Sequence, residues 1–540
     1  MTGAINFAGK NATVNLSDAK AISGDITTSA NISGVKTGIL NTLGAATLSG
    51  NVGAVGAAIE QLNINTAGTS SKTVDALGNI NAGTVNLQND GVLRMADNKD
   101  LTGNVTTALA GTGALTFLGT STVTGNVGAA GTALKAINAG ATTETVTFMS
   151  GVTYANTLAY TGNGTVLFKG TSPAGVAPNL GFVGAVDFGT NVTSTGTLKL
   201  GDAVDLVTQN ATSAGANTQT TFLDANGATL RFVGNSTVTG NLGSADNAGN
   251  QNFAHIFADG ASGKVVNLLG KVYVSSSTFN VAGTGTVNFQ DDLYGPLRYT
   301  ADGTVNVADT KSIYPSTDAT AAGSVTTTVA NTGTLNFLGS TTTQVPIGTS
   351  ALPLKAVNFH SSTDVPTATV NIGHDVYATT TTIGNATGTT TANITATGKY
   401  LGTNLTLSDN TTLNTAGNPA TYTSYTDGTL APSGVVTQSL IGGGALNTNN
   451  ATLNFAVGSQ AWASSNSGTG GLVNPAGSST ITGAAGSTLS MGATSTVNVS
   501  LLGSLRNGET ATLIDVAAAG NTTLPGTYRD NSYVIDTQLS

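Results

Sequence analysis

The chain has 540 residues, of which 71 are glycine and none is cysteine, and its formal net charge is −9. Charged residues make up 8% of the chain, against about a quarter in an average globular domain. With only 18 basic residues, partners that are held through Lys and Arg on phosphates, such as nucleic acid or an anionic membrane surface, are disfavoured. The lack of cysteine excludes thiolate zinc sites, cysteine nucleophiles and thiol redox motifs.

The chain begins with Met1–Phe7, which has neither the basic region nor the apolar core of a signal peptide. No stretch approaches the roughly 18 uninterrupted apolar residues of a membrane helix. We interpret the chain as an interior part of a longer protein.

Short strands with the pattern small–Thr–apolar–Asn–apolar recur along the whole chain. Because strand side chains alternate, the two apolar residues are predicted to face inward and Thr and Asn outward. Each strand buries too few side chains to be stable alone, so the pattern predicts a stack of coils with one continuous core. Outward Thr and Asn are predicted to stack from coil to coil. The strands are 12–16, 83–87, 285–289, 303–307, 368–372, 451–455 and 495–499.

A longer phrase is repeated, consisting of a Leu-x-Phe strand, a glycine and a Ser-Thr-rich strand. Its copies are 115–126, 230–241 and 335–343, with a shorter Phe strand at 166–170 and a relative at 47–53. Regular return of short strands indicates a stacked repeat architecture, that is, a rod or spacer. A second apolar strand is expected about 20 residues after each Phe. These second strands are 136–138, 185–188, 255–257 and 356–359.

The same phrase predicts which of its side chains are buried. A period of two places Leu and Phe inside and the residue between them outside. The buried residues would be Phe117, Phe232 and Phe337, and the outward ones Thr116, Arg231 and Asn336. The alternative is that these phenylalanines are exposed adhesion residues.

Two kinds of irregular segment are expected within one elongated, all-β solenoid. Long exposed insertions are predicted where Pro, Gly, Asn and Ser concentrate, and Gly56–Leu62, the best helical candidate, is interpreted as a loop turn. The last 60 residues are less repetitive. We therefore divide the chain into a repetitive solenoid, 1–480, and a C-terminal capping segment, 481–540, whose apolar part is 501–516. The predicted insertions are 171–180, 243–252, 340–353 and 415–434.

Three histidines are the only candidate imidazole ligands: His255, His360 and His374. His360 and His374, with the adjacent Asp375, are a conceivable metal site. The HExxH and His-x-His spacings that place two imidazoles on one metal are missing. We therefore predict surface histidines and no metal site or cofactor.

Acidic residues give no clear catalytic pattern. Glycoside cleavage requires two carboxyl groups on one face, about 5–10 Å apart. The adjacent pair Asp291 and Asp292 would point to opposite faces of a strand, and Asp202 and Asp205 are predicted to be solvated charges. We predict no catalytic and no cofactor-binding residue, and not an enzyme.

The repeated phrase also carries a resemblance to a known family. With these motifs the chain resembles the passenger region of rickettsial surface autotransporters, most closely the outer membrane protein B type that coats the bacterium. The tail from Gly508 to Tyr533 is similar to the junction that precedes the membrane β-barrel of such proteins. The residues that carry the resemblance are 115–128, 230–243 and 335–343, with the strands 134–138 and 354–359.

The resemblance implies a right-handed parallel β-helix on the extracellular side of a bacterial outer membrane. It implies roles in a surface layer and in host-cell adhesion. The partners would be a host-cell surface protein, other copies of the chain in the layer, and the outer-membrane β-barrel of the same precursor if this chain is a fragment.

Two other functions remain open from the residues. Parallel β-helices also include enzymes that act on polysaccharides, which would require acidic and basic side chains on neighbouring coils of one face. A filament or matrix protein that assembles through its ends is the third hypothesis, because solenoid ends expose unpaired strand edges unless they are capped.

Overall fold

The computed structural model divides the chain into two compact units, residues 1–287 with 316–321 and residues 288–315 with 322–540. The structure describes residues 2–9, 12–29, 36–149, 151–169, 180–189, 195–208, 219–246, 251–316, 323–395, 399–415, 438–441, 444–457, 480–483, 487–501 and 513–516.

The described residues of the first unit form short strands and one 3-10 turn, Ala225–Gly227. Its strands are β1 Ile5–Phe7, β2 Thr13–Leu16, β3 Lys20–Ile22, β4 Ile26–Thr28, β5 Thr37–Thr42, β6 Ala46–Leu48, β7 Ile59–Ile64, β8 Thr73–Ala76, β9 Ile80–Leu87, β10 Val92–Met95, β11 Leu101–Thr107, β12 Thr112–Phe117, β13 Ser121–Thr124, β14 Leu134–Ala139, β15 Thr145–Phe148, β16 Thr153–Tyr160, β17 Thr165–Phe168, β18 Phe182–Asp187, β19 Thr197–Leu200, β20 Leu206–Val207, β21 Thr220–Leu223, β22 Thr229–Phe232, β23 Ser236–Thr239, β24 Phe253–Ala258, β25 Val265–Leu268 and β26 Val272–Val281.

The second unit repeats the same kind of strand. β27, Thr286–Phe289, spans the boundary between the units. The remaining strands are β28 Leu293–Tyr294, β29 Leu297–Tyr299, β30 Thr304–Val307, β31 Ile313–Tyr314, β32 Val325–Thr327, β33 Thr334–Phe337, β34 Thr341–Thr342, β35 Leu354–Phe359, β36 Thr367–Ile372, β37 Ala378–Ile383, β38 Thr389–Ile394, β39 Asn404–Leu407, β40 Thr411–Asn414, β41 Gln438–Ile441, β42 Ala445–Asn447, β43 Thr452–Val457, β44 Thr480–Gly483, β45 Thr488–Ser490, β46 Thr496–Leu501 and β47 Ile514–Val516.

Neighbouring strands pair in parallel, and each pairs with a strand one coil away. Leu93 lies opposite Leu115, and Leu115 opposite Ile137, so one coil takes 22 residues at this point. The offset grows to 36 residues between Val186 and Phe222. The predicted all-β parallel solenoid is confirmed, while its handedness stays a prediction.

Three faces can be followed through the first unit by strand register. Face 1 contains β3, β6, β8, β10, β12, β14, β16, β18 and β21. Face 2 runs through β2, β5, β7 and the later halves of β9 and β11 to the bridge residue Val127. Face 3 runs from the earlier halves of β9 and β11 through β13, β15, β17, β19 and β22 to β24.

The core is formed by the inward residues of these strands, as the alternation predicts. Phe117, Phe232 and Phe337 are 1%, 0% and 2% exposed, so the alternative of exposed adhesion aromatics is wrong for them. Their predicted outward neighbours are partly exposed. Phenylalanines of successive coils also contact each other, as Phe148 and Phe168 do with ring centroids 5.0 Å apart.

Outward asparagines stack in ladders, also as predicted. In the first unit Asn41 Nδ2 donates to Asn15 Oδ1, and Asn63 Nδ2 to Asn41 Oδ1, at 2.8 and 2.7 Å. In the second unit a ladder joins residues 371, 393, 414, 454 and 498 at 2.7–2.9 Å. In each of these bonds the later coil donates to the earlier one.

Several sequence-based boundaries were wrong. Ile59–Ile64 is a strand, so Gly56–Leu62 is not simply a loop turn. The segment 340–353 contains β34 and the buried Val345 and Ile347, and is not an exposed insertion. The second strand expected after Phe168 is present as β18, Phe182–Asp187, whereas the strand 165–168 itself pairs with Thr197–Leu200.

Other predictions fall mainly outside the described residues. This applies to the insertions 171–180 and 415–434, of which only residues 180 and 415 are described, and to 247–250 of the insertion 243–252. Within the capping segment 481–540, the structure describes 481–483, 487–501 and 513–516. The apolar part 501–516 therefore lies mostly outside them, and the division at residue 480 stays a prediction.

Candidate functional site

One copy of the repeated phrase forms one complete coil. The copy that begins at β12 on face 1 continues through β13 on face 3 and Val127 on face 2. It then returns to face 1 at β14, where Ile137 lies opposite Leu115. The second apolar strand predicted after Phe117 is therefore the neighbour of the first, one coil later.

The copies begin on different faces of the first unit. The copy at β22 begins on face 3 and returns at β24, where Ile256 lies opposite Leu230. The short relative 47–53 starts in β6 on face 1, and the position before it that corresponds to Leu115 is Leu40, on β5 in face 2. Leu40 lies opposite Leu62 of β7, one coil later. With the copy at β12, all three faces serve as a starting point. Each face of the coil must therefore provide a nearly equivalent environment for the residues of the phrase.

A short loop tip completes the coil in most copies. Ala54 bridges Ala57, and Ala129 bridges Thr132, both in antiparallel fashion. In the second unit Thr349 and Leu352 exchange backbone hydrogen bonds of 3.2 Å. Val55, at the first tip, is 94% exposed. The tips thus place small and apolar side chains in solvent at different corners of the coil.

A second set of loops exposes apolar side chains just before two copies of the phrase. Leu109 is 69% exposed and Val329 58% exposed. In both loops a preceding threonine hydroxyl, that of Thr107 or Thr327, donates to the carbonyl oxygen of the exposed residue. Isolated exposed apolar residues are normal on protein surfaces, but their equivalent construction makes these loops candidate contact points.

The glycine of the phrase is required by an aspartate of the preceding coil. Asp97, Asp202 and Asp309 accept hydrogen bonds from the amides of residues 120, 235 and 340, at 2.8, 2.7 and 2.6 Å. The residue before each amide is Gly119, Gly234 or Gly339, and a Cβ there would overlap the carboxylate. We call this Asp–Gly arrangement the corner clasp.

The corner clasp also fixes the backbone beneath it. The residues that follow the three aspartates, Asn98, Ala203 and Thr310, have positive φ values of 56°, 59° and 65°. Such values are uncommon for residues with a Cβ, so hydrogen bonding to the next coil must compensate for the strain. Sequence reasoning missed the clasp, because the aspartate precedes its amide by a different number of residues in each copy.

Lysines extend some of these contacts over three coils. Asp202 bonds the amide of Asn235 in the next coil, and its other oxygen lies 2.6 Å from Lys264 Nζ. Asp302 likewise accepts from the Gly333 amide at 3.1 Å and pairs with Lys355 at 2.8 Å. Asp202 was predicted to be a solvated charge, and its side chain is indeed 52% exposed; in addition, its carboxylate holds the corner.

These contacts lower the pKa values of the carboxyl groups that make them. Hydrogen bonding to Lys264 and then to the Asn235 amide lowers the pKa of Asp202 below its ordinary value of 3.8. Lys355 and then the Gly333 amide lower the pKa of Asp302 in the same way. The pKa of Asp18 is lowered as well, first by the hydrogen bond from the Ala45 amide and second by the hydrogen bond from Lys72. The charged form is thus favoured by donors from later coils.

His360 is a structural residue and does not lie on the surface. It is fully buried. Its Nε2 lies 2.7 Å from the Val365 carbonyl oxygen and its Nδ1 2.7 Å from Thr390 Oγ1. Because a carbonyl only accepts, the hydrogen bond to Val365 requires a proton on Nε2.

The other conceivable member of a metal site is His374. Burial, followed by the charge of Lys399, lowers the pKa of His374. Among the described residues, no group of three or more His, Cys, Asp and Glu side chains is arranged to hold a metal ion. The structure therefore gives no support to a site built from His360, His374 and Asp375.

Asp291 and Asp292, the adjacent acidic pair, bind residues of a neighbouring coil in the second unit. Asp291 Oδ1 lies 2.9 Å from Lys311 Nζ, and Asp292 Oδ1 accepts from the Ser312 amide at 3.0 Å. Asp205 similarly accepts from the amide of Thr237 at 2.7 Å. These carboxylates hold neighbouring coils together. That the chain is not an enzyme stays a prediction from the sequence.

Comparison with protein-family models, characterised proteins and solved structures gives no match. In the part of the chain that the structure describes, no helix is long and apolar enough to cross a membrane.

Proposed function

We propose that the chain is a structural cell-surface protein, a solenoid passenger that contributes to a surface layer on a bacterial outer membrane and presents loop tips to host cells. The observation that carries the proposal is the one-coil phrase. It repeats an apolar inward core and ladders of outward Asn and Thr, and it varies mainly in the loops.

Such a design suits a spacer, because each coil contacts only its neighbours and extends the stack without building a central pocket. Loops carry contact residues at low cost to the stack that supports them. The lack of cysteine suits a polypeptide that is exported unfolded and then exposed to oxidants. The resemblance of the phrase to rickettsial surface passengers supports the same location.

Protease accessibility on intact bacteria tests the location. We expect an added protease to cut the chain at exposed loop tips such as the one that holds Val55, while a cytosolic marker in the same cells stays intact. Complete protection of the chain until the cells are lysed would contradict the proposal.

Adhesion is tested separately with loop-tip variants. Val55→Asp changes a side chain that is 94% exposed, so we expect an unchanged fold. Binding of purified chain to host cells should fall for tip variants at Val55, Leu109 or Val329 if these loops contact the receptor. The outward strand variant Thr147→Asp is the control that should bind as the wild type does.

A further inference from the structure

Face 3 of the first unit carries a cluster of positive charge on three successive strands. Lys199 on β19 lies directly opposite Arg231 on β22. Lys169 follows β17, the strand on the other side of β19. We call these three residues the basic cluster. In the part of the chain that the structure describes, no other two neighbouring strands place two cations opposite each other.

The side chains of the basic cluster belong to one surface patch. Lys169 is exposed, and Lys199 and Arg231 are half-buried residues at outward positions of their strands. The Cγ atom of Lys169 lies 3.4 Å from the place that a Cβ on Gly201 would occupy. Because Gly201 follows Lys199 by two residues, it lies on the same side of the chain. The side chain of Lys169 therefore passes beside the glycine, next to the strand that carries Lys199.

A single acidic residue balances the cluster. The segments 165–169, 197–201, 229–233 and 255–259 contain three basic residues and one acidic residue, Asp259, and so carry a net charge of +2 in a chain whose net charge is −9. Neither Lys169 nor Lys199 forms an ion pair with a described residue. Like charges on directly opposite strand positions destabilise a sheet. The position of Lys199 is therefore unfavourable for the stack, and a threonine or asparagine there would be better tolerated.

Arg231 is held in a fixed position by two neighbours. Its Nε and Nη2 donate to Asp259 at 2.7 and 2.9 Å, and its Cζ lies 4.4 Å from the centre of the Phe257 ring. A guanidinium has five N–H donors, so these two bonds leave three donors for another acceptor. An arginine that is already ordered loses little conformational freedom when it binds an anion.

Arg94 on face 1 shows how this fold uses an arginine that only joins coils. Asp75 lies directly opposite Arg94 and accepts hydrogen bonds from its Nε and Nη2 at 2.6 and 2.9 Å. The strand on the other side places Thr116 opposite Arg94, so the arginine has no cation beside it in the sheet. The contact between coils is therefore made without a second cation, and it does not explain Lys199.

The surroundings of the basic cluster suit a sugar polymer. A row of half-buried threonines lies in register beside it on β15, β17, β19 and β22, and their hydroxyl groups can donate and accept hydrogen bonds as sugar hydroxyls do. The cations recur once per strand, at intervals of about 4.8 Å. In an extended acidic peptide, side chains on one side are about 6.6 Å apart, so they would not meet one cation per coil. The threonines are Thr145, Thr165, Thr197 and Thr229.

We propose that the basic cluster binds an acidic polysaccharide, whose sulfate or carboxylate groups accept hydrogen bonds from the two lysines and from Arg231. With so few cations, one chain should bind weakly and in a salt-dependent way. Many copies on one surface should bind a long polymer tightly, because each further contact is then intramolecular. The inference goes beyond the proposed function, since it concerns the purified chain and holds wherever the protein is located.

Binding of the purified full-length chain to glycans tests the site. The probes are heparin, which carries sulfate and carboxylate groups, hyaluronate, which carries carboxylates alone, and uncharged dextran. In surface plasmon resonance at low ionic strength, the wild type should bind heparin, hyaluronate or both, should not bind dextran, and should lose affinity as salt is added. Lys199→Thr and Lys169→Thr should each weaken binding at least about tenfold, because each removes a hydrogen bond to a charged group.

Lys20→Thr is the matched control. Lys20 is an exposed lysine on β3 of face 1, it forms no ion pair with a described residue, and its replacement changes the net charge by the same amount. This variant should bind as the wild type does. Thermal unfolding gives a second measurement. Lys199→Thr should melt at or above the temperature of the wild type, because the substitution removes a like-charge contact.

A wild type that binds neither acidic glycan would overturn the inference. Equal loss of affinity in Lys20→Thr and Lys199→Thr would also overturn it, because the effect would then come from overall charge. A Lys199→Thr variant that melts below the wild type would show that the lysine serves the stack instead. If poly-L-glutamate displaces bound heparin at a lower concentration than free heparin does, the cluster is a site for acidic peptides. None of these results alters the protease accessibility expected on intact cells, so the proposed function is tested separately.

Discussion

Truncation of one core phenylalanine should loosen only a few coils. Phe232 is fully buried, and its register partners are Leu200 in the preceding coil and Ala258 in the following one. Phe232→Ala removes most of a large side chain from this layer. Such truncations cost about 3–5 kcal/mol where the surroundings cannot collapse.

In a stack where each coil contacts only its neighbours, this loss should remain local. If local opening becomes easier by about 3–5 kcal/mol, amide exchange becomes roughly 10² to several times 10³ times faster. We expect this acceleration in β19, β22 and β24. The amides of β7 and β9, several coils away, should exchange as in the wild type.

Hydrogen exchange with mass spectrometry measures this directly, peptide by peptide. Val233→Ala is the matched control, because Val233 is the next residue but is 43% exposed, and exposed substitutions usually change stability by less than about 0.5 kcal/mol. Equal acceleration along the whole chain, or none near β22, would refute the nearest-neighbour reasoning.

Three further predictions concern the contacts between coils. Gly234→Ala should lower the melting temperature because the new Cβ overlaps the Asp202 carboxylate. Adding Asp202→Ser to this variant should restore part of the loss, and strictly additive effects of the two substitutions would argue against the corner clasp. Because the folded-state pKa of Asp302 is lowered, the stability that its carboxylate contributes is present above about pH 4 and is lost as the pH falls through the folded-state pKa. The melting temperature, measured over a series of acidic pH values, should show this loss. The variant Asp302→Asn should show a smaller loss. His360→Leu leaves the partly buried Val365 carbonyl without its donor and should lower the free energy of unfolding in urea by about 1–3 kcal/mol. An unchanged midpoint would show that the ring hydrogen bonds are replaceable.

The alternation of side chains along strands could be predicted from the sequence because it depends only on local geometry. Phe117 and its equivalents are inside, and the outward asparagines form ladders, since both follow from a period of two. What could not be predicted is which distant strand lies beside which. The strand 165–168 pairs with 197–200, and the loop lengths between coils decide this rather than any property of the strand.

The corner clasp illustrates the same limit at the candidate site. The aspartate and the amide it binds are separated by 23, 33 and 31 residues in three copies. The contact is the same, but insertions change the separation, so no fixed motif spacing reveals it. The buried His360 was missed for a related reason, because Val365 and Thr390 enclose it only after two coils are stacked.

The equality of one phrase and one coil has a consequence for how such a chain lengthens over evolutionary time. In three copies the phrase returns to its starting face after 22 residues, from Leu40 to Leu62, from Leu115 to Ile137 and from Leu335 to Val357. Duplication of one such segment adds a whole turn and leaves every downstream residue on the face it already occupied. Such a duplication can therefore begin on any of the three faces without displacing the rest of the stack. Because each new copy stays on the face of its parent, copies that begin on different faces require, in addition, a shift of the phrase by part of a coil.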